Sequence, residues 1–138
     1  MYIVTAEEMY EIDRYAIEKG EIEGKILMEN AGAQVAQAIL RDYSDRTTFA
    51  VAVGSGNNGG DGFVVARYLQ EADKKVEVLQ LVPNQKITGD AAYHKKLWLQ
   101  VNGTVSQIGD TATFTEKLAT FEVMVLLLPV IYKKQTKR

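Results

Sequence analysis

GSGNNGGDG, residues 54–62, is the most informative segment of the sequence, because it joins a short apolar run to an amphipathic one. The run before it, residues 49–53, is typical of a strand that is buried on both faces. The run after it has apolar side chains at helical spacing from residue 63 onward, and residues 75–82 then predict a second strand. Strand, glycine-rich connection, helix and strand in this order predict a βαβ unit with parallel strands.

Outward from this unit, the alternation of strands and helices continues towards the end of the chain. Helices are predicted over residues 88–100 and 111–119, and strands over residues 104–108 and 122–130. Strand and helix therefore alternate from residue 48 onward. This alternation predicts an α/β fold with a mostly parallel sheet and helices on both faces.

Two helices are predicted before the unit. Thr5 and Glu8 match a capping box that opens a helix over residues 5–19, and a second apolar pattern predicts a helix over residues 24–43. We therefore divide a single domain, residues 1–138, into N-terminal helices at 1–45, a βαβ core at 46–132 and a basic tail at 133–138.

Length and composition limit the functions that the chain can have. A chain of 138 residues with 46% apolar and 25% charged residues is typical of one globular domain. Its net charge of −2 and its pI near 5.5 give no positive field that would attract nucleic acid or an anionic membrane. The absence of cysteine excludes disulfides and thiolate metal sites and favours a cytoplasmic location. We also expect neither a secretory signal nor a membrane span, because the N-terminus is acidic and the longest apolar run has ten residues.

The glycine-rich stretch also carries the chemistry. Five glycines in nine residues allow positive φ and close approach of backbone N–H groups, and the following helix adds its positive end, so the stretch predicts a cradle for phosphate or pyrophosphate. The pattern Gly-x-Gly-x-x-Gly matches a dinucleotide fingerprint. However, Glu77, which has the spacing of the acidic ribose ligand, lies near the start of its strand and not at the end. No Gly-Lys-Ser/Thr follows the glycines, which excludes a P-loop.

Asn57, Asn58 and Asp61 within this stretch have two interpretations. Carboxamide and carboxylate oxygens suit a hard cation or hydrogen bonds to ribose and phosphate. Asn and Asp are also common turn and capping residues, and Asp61 taken alone is better interpreted as a helix cap than as a catalyst. The stretch as a whole favours ligand binding over a purely structural turn.

Four residues outside the stretch are also candidates for a role. His94, the only histidine, is interpreted as a solvated helix residue, because no matched partner accompanies it. Asn30, in an otherwise apolar helix, either orients the glycine-rich stretch, forms an ordinary buried hydrogen bond or lies at the surface. Tyr93 and Trp98 are interpreted as core or interface residues and not as a stacking platform.

Four segments together resemble a known family. GSGNNGGDG is followed by FVVARYL, LMENAG lies upstream on the preceding helix, and VTAEEMYEIDRYAIEKG and KITGDAAYHKKL flank them. From about residue 3 to about residue 124, they resemble the YjeF N-terminal domain, the NAD(P)H-hydrate epimerase family. The resemblance implies a Rossmann-like three-layer α/β/α fold. It also implies an isomerase that interconverts the R and S forms of hydrated NADH or NADPH in metabolite repair.

The resemblance also implies site residues, a cofactor and a partner. Asn57, Asn58, Gly59, Gly60 and Asp61 would contact the hydrated nucleotide, and Asn58 would supply one ligand for a potassium ion. Family members commonly form homodimers, so a homodimer is expected. Neither nucleic acid nor a membrane is expected as a partner.

The resemblance ends after Met124. The family would continue with an aspartate, a Leu-Gly-Thr-Gly loop and a Ser-Gly-x-Asp segment, whereas this chain continues as VLLLPVIYKKQTKR. The family's catalytic aspartate, second potassium ligand, second phosphate loop and C-terminal strands and helices therefore have no counterpart, and no catalytic residue is assigned. We interpret this as a truncation or a shift of reading frame after about residue 124 that impairs catalysis. It would also leave the last strand, residues 123–131, beside an unpaired sheet edge.

Two alternatives stay open. A non-catalytic nucleotide-binding or scaffold module of the same fold would bind a ligand without turnover. An ordinary NAD(P)-dependent Rossmann enzyme would need an acidic or basic residue at the end of the second predicted strand to bind the ribose. It would also need a catalytic residue outside the glycine-rich stretch, and the sequence provides no convincing candidate for either.

Overall fold

The computed structural model of the protein describes residues 1–8, 24–55 and 57–129, without the side chains of residues 6–8, 57–59 and 128–129. Five strands form one sheet in the order β1-β5-β2-β3-β4, and all neighbouring strands are parallel. The strands are β1 (Tyr2–Glu8), β2 (Thr48–Val53), β3 (Lys75–Gln80), β4 (Thr104–Gln107) and β5 (Val123–Pro129). The helices are α1 (Gly24–Asp42), α2 (Asn57–Glu71), α3 (Gly89–Gln100) and α4 (Thr111–Leu118), with a 3-10 helix at Asn84–Lys86.

Helices cover the sheet on both faces, and the central strand β2 shows why. Phe49, Val51 and Val53 point to one face, where they form the main core with apolar side chains of α1, α2 and α3. Ala50 and Leu79 point to the other face and pack with apolar side chains of α4. Because both faces are buried, β2 is apolar from Phe49 to Val53 instead of alternating. The predicted three-layer α/β/α fold with a parallel sheet is confirmed.

Most predicted elements agree with the observed ones to within one or two residues. This holds for α1, β2, β3, α3, β4, α4 and β5. The helix after the glycine-rich stretch differs, because α2 begins at Asn57 and not after Asp61. The predicted basic tail, residues 133–138, lies outside the described residues. None of the helices within the described ranges is long and apolar enough to cross a membrane.

The strand order defines a switch point between β2 and β5. From β2 the chain proceeds through β3 to β4 on one side, and β5 then returns to the other side of β2. The helices agree with this reversal, because α2 and α3 pack on one face and α4, which precedes β5, packs on the opposite face. Open α/β sheets bind ligands outside the carboxyl ends of their strands at such a point. Val53 and Gly54, at the end of β2, therefore mark the candidate site.

The first strand corrects one prediction. Residues 5–8 belong to β1 and do not open a helix, and β1 pairs with β5 from Tyr2 opposite Val123 to Glu8 opposite Pro129. The capping box is a local signal, whereas pairing with β5 satisfies a whole row of backbone groups along an apolar strand. Residues 1–45 are therefore not helical throughout. The rest of the predicted helix, residues 9–19, lies outside the described residues.

The predicted unpaired edge beside the last strand is also wrong. β5 lies between β1 and β2 and pairs with both. The start of β1 is held in place by Arg46, whose Nη2 donates to the Tyr2 hydroxyl at 2.9 Å and whose guanidinium lies 4.6 Å from the centre of the Tyr2 ring. The apolar strand β5 is thus an interior strand of the sheet.

Candidate functional site

The glycine-rich stretch forms the connection from β2 and the first turns of α2. β2 ends at Val53 and α2 begins at Asn57, so the helix starts within the stretch. The first N–H groups of a helix have no partner within the helix and carry partial positive charge. At the carboxyl edge of the sheet, these groups are suited to binding a phosphate.

Two glycines of the stretch, Gly60 and Gly62, serve close packing, whereas a Cβ on Gly54 would have no neighbour within 4 Å. A Cβ on Gly60 would lie 2.6 Å from Met28 Cε and 3.1 Å from the Cα of Ala91, so α2 approaches α1 and α3 at a point without a side chain. A Cβ on Gly62 would overlap Val53 Cγ1 of β2. The expected role in positive φ is not seen for these glycines. Positive φ angles of described residues lie outside the stretch, at Asp73, Gly89 and Asn102.

The residues that the resemblance assigns to the nucleotide are consecutive at the start of α2. The first turn of α2 contains Asn57, Asn58 and Gly59, for which the structure describes the backbone only. Their contacts to the nucleotide therefore stay predictions. Gly60 is buried, and Asp61 is 1% exposed. Since α2 begins four positions earlier, Asp61 lies inside the helix, and its interpretation as the helix cap is wrong.

No metal cluster accompanies this turn in the part of the chain that the structure describes. The described residues contain no group of three or more His, Asp or Glu side chains that could hold a metal ion. Potassium does not need such a cluster, because several neutral oxygens, including backbone carbonyls, can replace its hydration shell. Asn58 as a potassium ligand stays a prediction.

A polar cluster centred on Glu29 joins α1, α2 and α3. Oε1 of Glu29 accepts a hydrogen bond from Arg67 Nη2, and Oε2 accepts one from the Tyr68 hydroxyl at 2.5 Å. His94 of α3 places Nδ1 3.8 Å from Glu29 Oε1 and Nε2 2.8 Å from the carbonyl oxygen of Lys25. Glu29 thus links the three helices that pack around Gly60.

His94 corrects another prediction, since it is 1% exposed and not solvated. A backbone carbonyl only accepts hydrogen bonds, so the contact with Lys25 assigns a hydrogen to Nε2. Sequence reasoning also missed Glu29, Arg67 and Tyr68 as a group. The available signal was the position of two charged side chains, Glu29 and Arg67, within otherwise apolar helix faces.

The Glu29 cluster also changes the acidity of Tyr68. The hydrogen bond to Glu29 is the largest cause that raises the pKa of Tyr68 above the ordinary 10.0, followed by burial and by the charge of Glu29. The carboxylate accepts the phenolic hydrogen, so loss of that proton also costs the hydrogen bond. Tyr68 is therefore a neutral hydrogen-bond donor near physiological pH.

A second polar cluster lies at the carboxyl end of β3. Gln80 is 1% exposed, and its Nε2, which has two hydrogens, lies within hydrogen-bond distance of three acceptors, Val82 O at 2.9 Å, Asn84 Oδ1 at 2.8 Å and Gln107 Oε1 at 3.1 Å. Lys95 of α3 donates from Nζ to Gln80 Oε1 at 2.7 Å and to Asn84 Oδ1 at 2.8 Å. Burial lowers the pKa of Lys95. No local pattern predicted this cluster, because α3 supplies the lysine and β3 the amide.

Glu77 does not belong to the site. It is the third residue of β3, accepts a hydrogen bond from Ser106 Oγ at 2.7 Å and lies 2.9 Å from Lys117 Nζ of α4. These contacts lie on the α4 face, away from the carboxyl end of the strand. The interpretation that Glu77 is misplaced for a ribose ligand is confirmed.

A cavity of about 300 Å³ opens beside the carboxyl ends of β3 and β4 on the α4 side. Leu81, Ile108 and Phe114 provide its apolar walls. Asp110 at its rim caps α4 by accepting from the backbone N–H of Thr113 at 2.6 Å, and this hydrogen bond is the main cause that lowers the pKa of Asp110. The cavity thus combines apolar walls with one ionised acceptor.

The remaining candidates lie away from the first turn of α2. Asn30 is exposed, so of its three interpretations the surface position is confirmed. Trp98 is fully buried and donates from Nε1 to Thr104 O at 3.2 Å, as expected for a core residue. Tyr93 is 41% exposed, and its ring lies 4.8 Å from Lys25 Nζ.

Comparison with known proteins identifies relatives over most of the chain. The family described as YjeF-related protein N-terminus matches residues 24–127. An NAD(P)H-hydrate epimerase of Rhodopirellula baltica is 34% identical over 122 residues, which cover 88% of this chain and 49% of that protein. An NAD(P)H-hydrate epimerase of Rhodobacter capsulatus is 36% identical over 120 residues, which cover 82% and 56%. The Bifunctional NAD(P)H-hydrate repair enzyme Nnr of Moorella thermoacetica is 39% identical over 106 residues, which cover 75% and 20%.

A solved structure agrees with these matches. The crystal structure of yeast ynu0 superposes with a TM-score of 0.61 at 27% identity, over 70% of this chain and 43% of that chain. The chain therefore spans about half the length, or less, of the relatives that it matches. From the family match over residues 24–127 and this shared fold, we conclude that the chain belongs to the family of YjeF-related protein N-terminal domains.

Proposed function

We propose that the chain acts as an NAD(P)H-hydrate epimerase domain, an isomerase that interconverts the R and S forms of hydrated NADH or NADPH. The observation that carries the proposal is the start of α2 at the carboxyl end of β2, where the stretch 54–62 brings backbone N–H groups to the switch point of the sheet. Relatives that cover the same region are named NAD(P)H-hydrate epimerases, which supports the assignment.

In this proposal the pyrophosphate of the hydrated nucleotide lies at the first turn of α2. Asn57, Asn58 and Gly59 contribute N–H groups there, because these groups have no acceptor within the helix. The positive end of the helix offsets the charge of the phosphates. Asp61 contacts a donor of the substrate, such as a ribose hydroxyl or a carboxamide N–H, since a carboxylate only accepts hydrogen bonds.

The proposal includes a potassium ion, a homodimer and a cytoplasmic location. The carboxamide oxygen of Asn58 is one potassium ligand, and backbone carbonyls of the turn are suitable further ligands. Potassium, when bound, would supply a fixed positive charge beside the substrate phosphates. The cysteine-free composition supports the location. No catalytic acid or base is assigned among the described residues.

Conversion of purified R-NADPH hydrate into its S form tests the proposal. The two epimers are separated by chromatography at successive times, with the chain in potassium buffer, in sodium buffer and omitted. Since no catalytic acid or base is assigned, we expect only slow conversion above the spontaneous rate in potassium buffer, and a still slower rate in sodium buffer. The variant Asn58→Ala should slow the conversion, and the matched variant Asn30→Ala, at an exposed position of α1, should not.

A binding measurement by calorimetry with the same hydrated nucleotide separates the alternatives. Binding without turnover would favour a non-catalytic nucleotide-binding module of the same fold over an epimerase. Absence of both binding and turnover from the folded chain would contradict the proposal.

A further inference from the structure

Lys95 is a cation that neutral groups hold at the carboxyl end of β3. Its Nζ donates to Gln80 Oε1 at 2.7 Å and to Asn84 Oδ1 at 2.8 Å. An ammonium group has three N–H donors, so these two bonds leave one donor for another acceptor. Within the described ranges, no carboxylate forms an ion pair with Lys95.

This arrangement is costly for the protein without a ligand. Partial burial penalises the charged form of Lys95 and lowers its pKa, and no carboxylate offsets that penalty. A hydrogen-bonded link from α3 to Gln80 and Asn84 does not require a charge. A neutral amide donor could reach the same two side-chain oxygens at a lower desolvation cost. The remaining donor and the uncompensated charge therefore fit an anion that comes from outside the chain.

The acceptors of Lys95 are fixed in place and open to solvent on one side. Gln80 is 1% exposed and is held by its hydrogen bonds to Val82 and Gln107. Asn84 is exposed, so the cluster reaches the protein surface there. Lys86 belongs to the same 3-10 helix as Asn84 and is also exposed. An anion that approached Lys95 would thus meet a second positive charge on this loop.

The cluster lies one strand away from the proposed pyrophosphate site. Gln80 is the register partner of Val53, the last residue of β2, and the N–H of Leu81 donates to Val53 O at 2.9 Å. A dinucleotide whose pyrophosphate lies at the helix after one strand places its adenosine ribose at the end of the next strand. At that end an acidic residue accepts a hydrogen bond from the 2′-hydroxyl of NAD, and a basic residue binds the 2′-phosphate of NADP. The residues that follow β3 here are Leu81, Val82 and Pro83, with no acid among them.

We propose that Lys95 binds the 2′-phosphate of the adenosine ribose, so that the site prefers hydrated NADPH over hydrated NADH. This inference rests on the proposed function, because it requires a dinucleotide with its pyrophosphate at α2. An oxygen of the 2′-phosphate accepts a hydrogen bond from the third N–H of Lys95, and the phosphate compensates the positive charge of the lysine. The residue that sets the preference for NADPH therefore lies on α3, the helix that follows β3, and not at the end of β3 itself.

Calorimetric titration of the folded chain with NADP⁺ and with NAD⁺ tests the inference, since these probes differ only in the 2′-phosphate. We expect NADP⁺ to bind about tenfold more tightly, a ratio of the size that one charge-assisted hydrogen bond supplies. Lys95→Gln should reduce the ratio to about one by weakening the binding of NADP⁺ only. Lys95→Arg keeps the charge and should retain most of the preference. The control Lys96→Gln, which removes an exposed neighbouring charge from α3, should leave the ratio unchanged.

The possible outcomes separate this inference from the proposed function. Equal binding of the two probes by the unmodified chain, or an unchanged ratio in folded Lys95→Gln, would refute the role of Lys95 and leave the epimerase proposal standing. If neither probe nor the hydrated nucleotides bind, both proposals fail. Circular dichroism establishes whether each variant is folded. If Lys95→Gln does not fold, two other measurements decide the question. The affinity ratio of NADP⁺ to NAD⁺ should be retained in Lys95→Arg, and in the unmodified chain it should fall as rising pH deprotonates Lys95.

Discussion

A Cβ atom on Gly32 of α1 would lie 2.5 Å from Cβ of Val64 in α2, so the two helices meet at a point where only a hydrogen atom fits. The same Cβ would lie 3.3 Å from the carbonyl oxygen of Asp61, which leaves no room on the backbone side either. Val64 is fully buried, and its branched side chain has little rotamer freedom in a helix. Gly32 therefore sets the distance between α1 and the first turns of α2.

The first prediction concerns this contact. Gly32→Ala should lower the free energy of unfolding by about 1 kcal/mol and by no more than about 2 kcal/mol, because overpacking costs about 1–3 kcal/mol and alanine regains about 1 kcal/mol of helix propensity. Urea unfolding followed by the fluorescence of the buried Trp98 measures the change. The control Gly109→Ala, where a Cβ would have no neighbour within 4 Å, should change stability by less than about 0.5 kcal/mol. Equal effects of the two variants would contradict the packing argument.

The second prediction concerns the polar cluster of α1, α2 and α3. Glu29→Ala should lower the free energy of unfolding by about 1–3 kcal/mol, because it leaves the Arg67 guanidinium and the Tyr68 hydroxyl without their acceptor. Asn30→Ala, at the exposed neighbouring position, is the matched control. Thermal or urea unfolding of both variants provides the comparison. A loss no larger than that of Asn30→Ala would show that the cluster contributes nothing to stability.

The third prediction concerns the ionisation of Tyr68. Absorbance titration of the chain minus that of Tyr68→Phe should give one tyrosine with a pKa above 10.0, and Glu29→Gln should bring that pKa down. Because the pKa is higher in the folded state, the contribution to stability is complete below the unfolded pKa and is lost as the pH rises through the folded one. An unchanged pKa in folded Glu29→Gln would show that Glu29 is not the cause.

The fourth prediction concerns Glu122, which precedes β5 and accepts from the backbone N–H groups of Thr47 at 2.9 Å and Thr48 at 3.2 Å. The hydrogen bonds of Thr47 are the largest causes that lower the pKa of Glu122 from 4.5 to about 2. A depressed pKa stabilises the fold above the unfolded pKa, and this contribution is lost as the pH falls through the folded value. Glu122→Gln should therefore be less stable than the unmodified chain at pH 7, with a difference that shrinks between about pH 4.5 and 2.

Urea midpoints at several pH values check this fourth prediction. Glu116→Gln, which removes an exposed carboxylate of α4, is the control and should show a smaller and less pH-dependent change. A constant difference for Glu122→Gln from pH 7 down to pH 2 would mean that the carboxylate does not hold the Thr47 and Thr48 backbone.

The fifth prediction concerns the tautomer of His94. The carbonyl oxygen of Lys25, 2.8 Å from Nε2, requires a hydrogen on Nε2, so the neutral ring should be the Nε2–H tautomer. Nitrogen-15 NMR identifies the tautomer from the two ring-nitrogen shifts at a pH where the ring is neutral, and His94 is the only histidine in the spectrum. Burial should also make the Nε2 hydrogen exchange slowly with water. An Nδ1–H tautomer would contradict the contact with Lys25.

Much of the fold was predictable from the sequence because its signals are local. The apolar run of β2, the glycine-rich stretch and the periodicity of α1, α3 and α4 lie within windows of a few residues to about twenty, and the corresponding elements form. The order of strand and helix also predicted a parallel sheet with helices on both faces, because parallel strands need crossover connections. The start of α2 at Asn57 escaped prediction, since glycines favour turns locally and only packing against Met28 and Ala91 explains them inside a helix.

Local patterns were sufficient to predict the βαβ core, the glycine-rich connection between a strand and a helix, and the family. The three-dimensional packing was needed to show that residues 2–8 form a strand, that β5 is an interior strand, and which polar side chains meet. Glu29 lies 38 residues from Arg67 in the sequence, and Gln80 lies 15 residues from Lys95. No helical or strand period connects residues so far apart, and a local pattern carries no information on which buried charge finds which partner once the helices pack against the sheet.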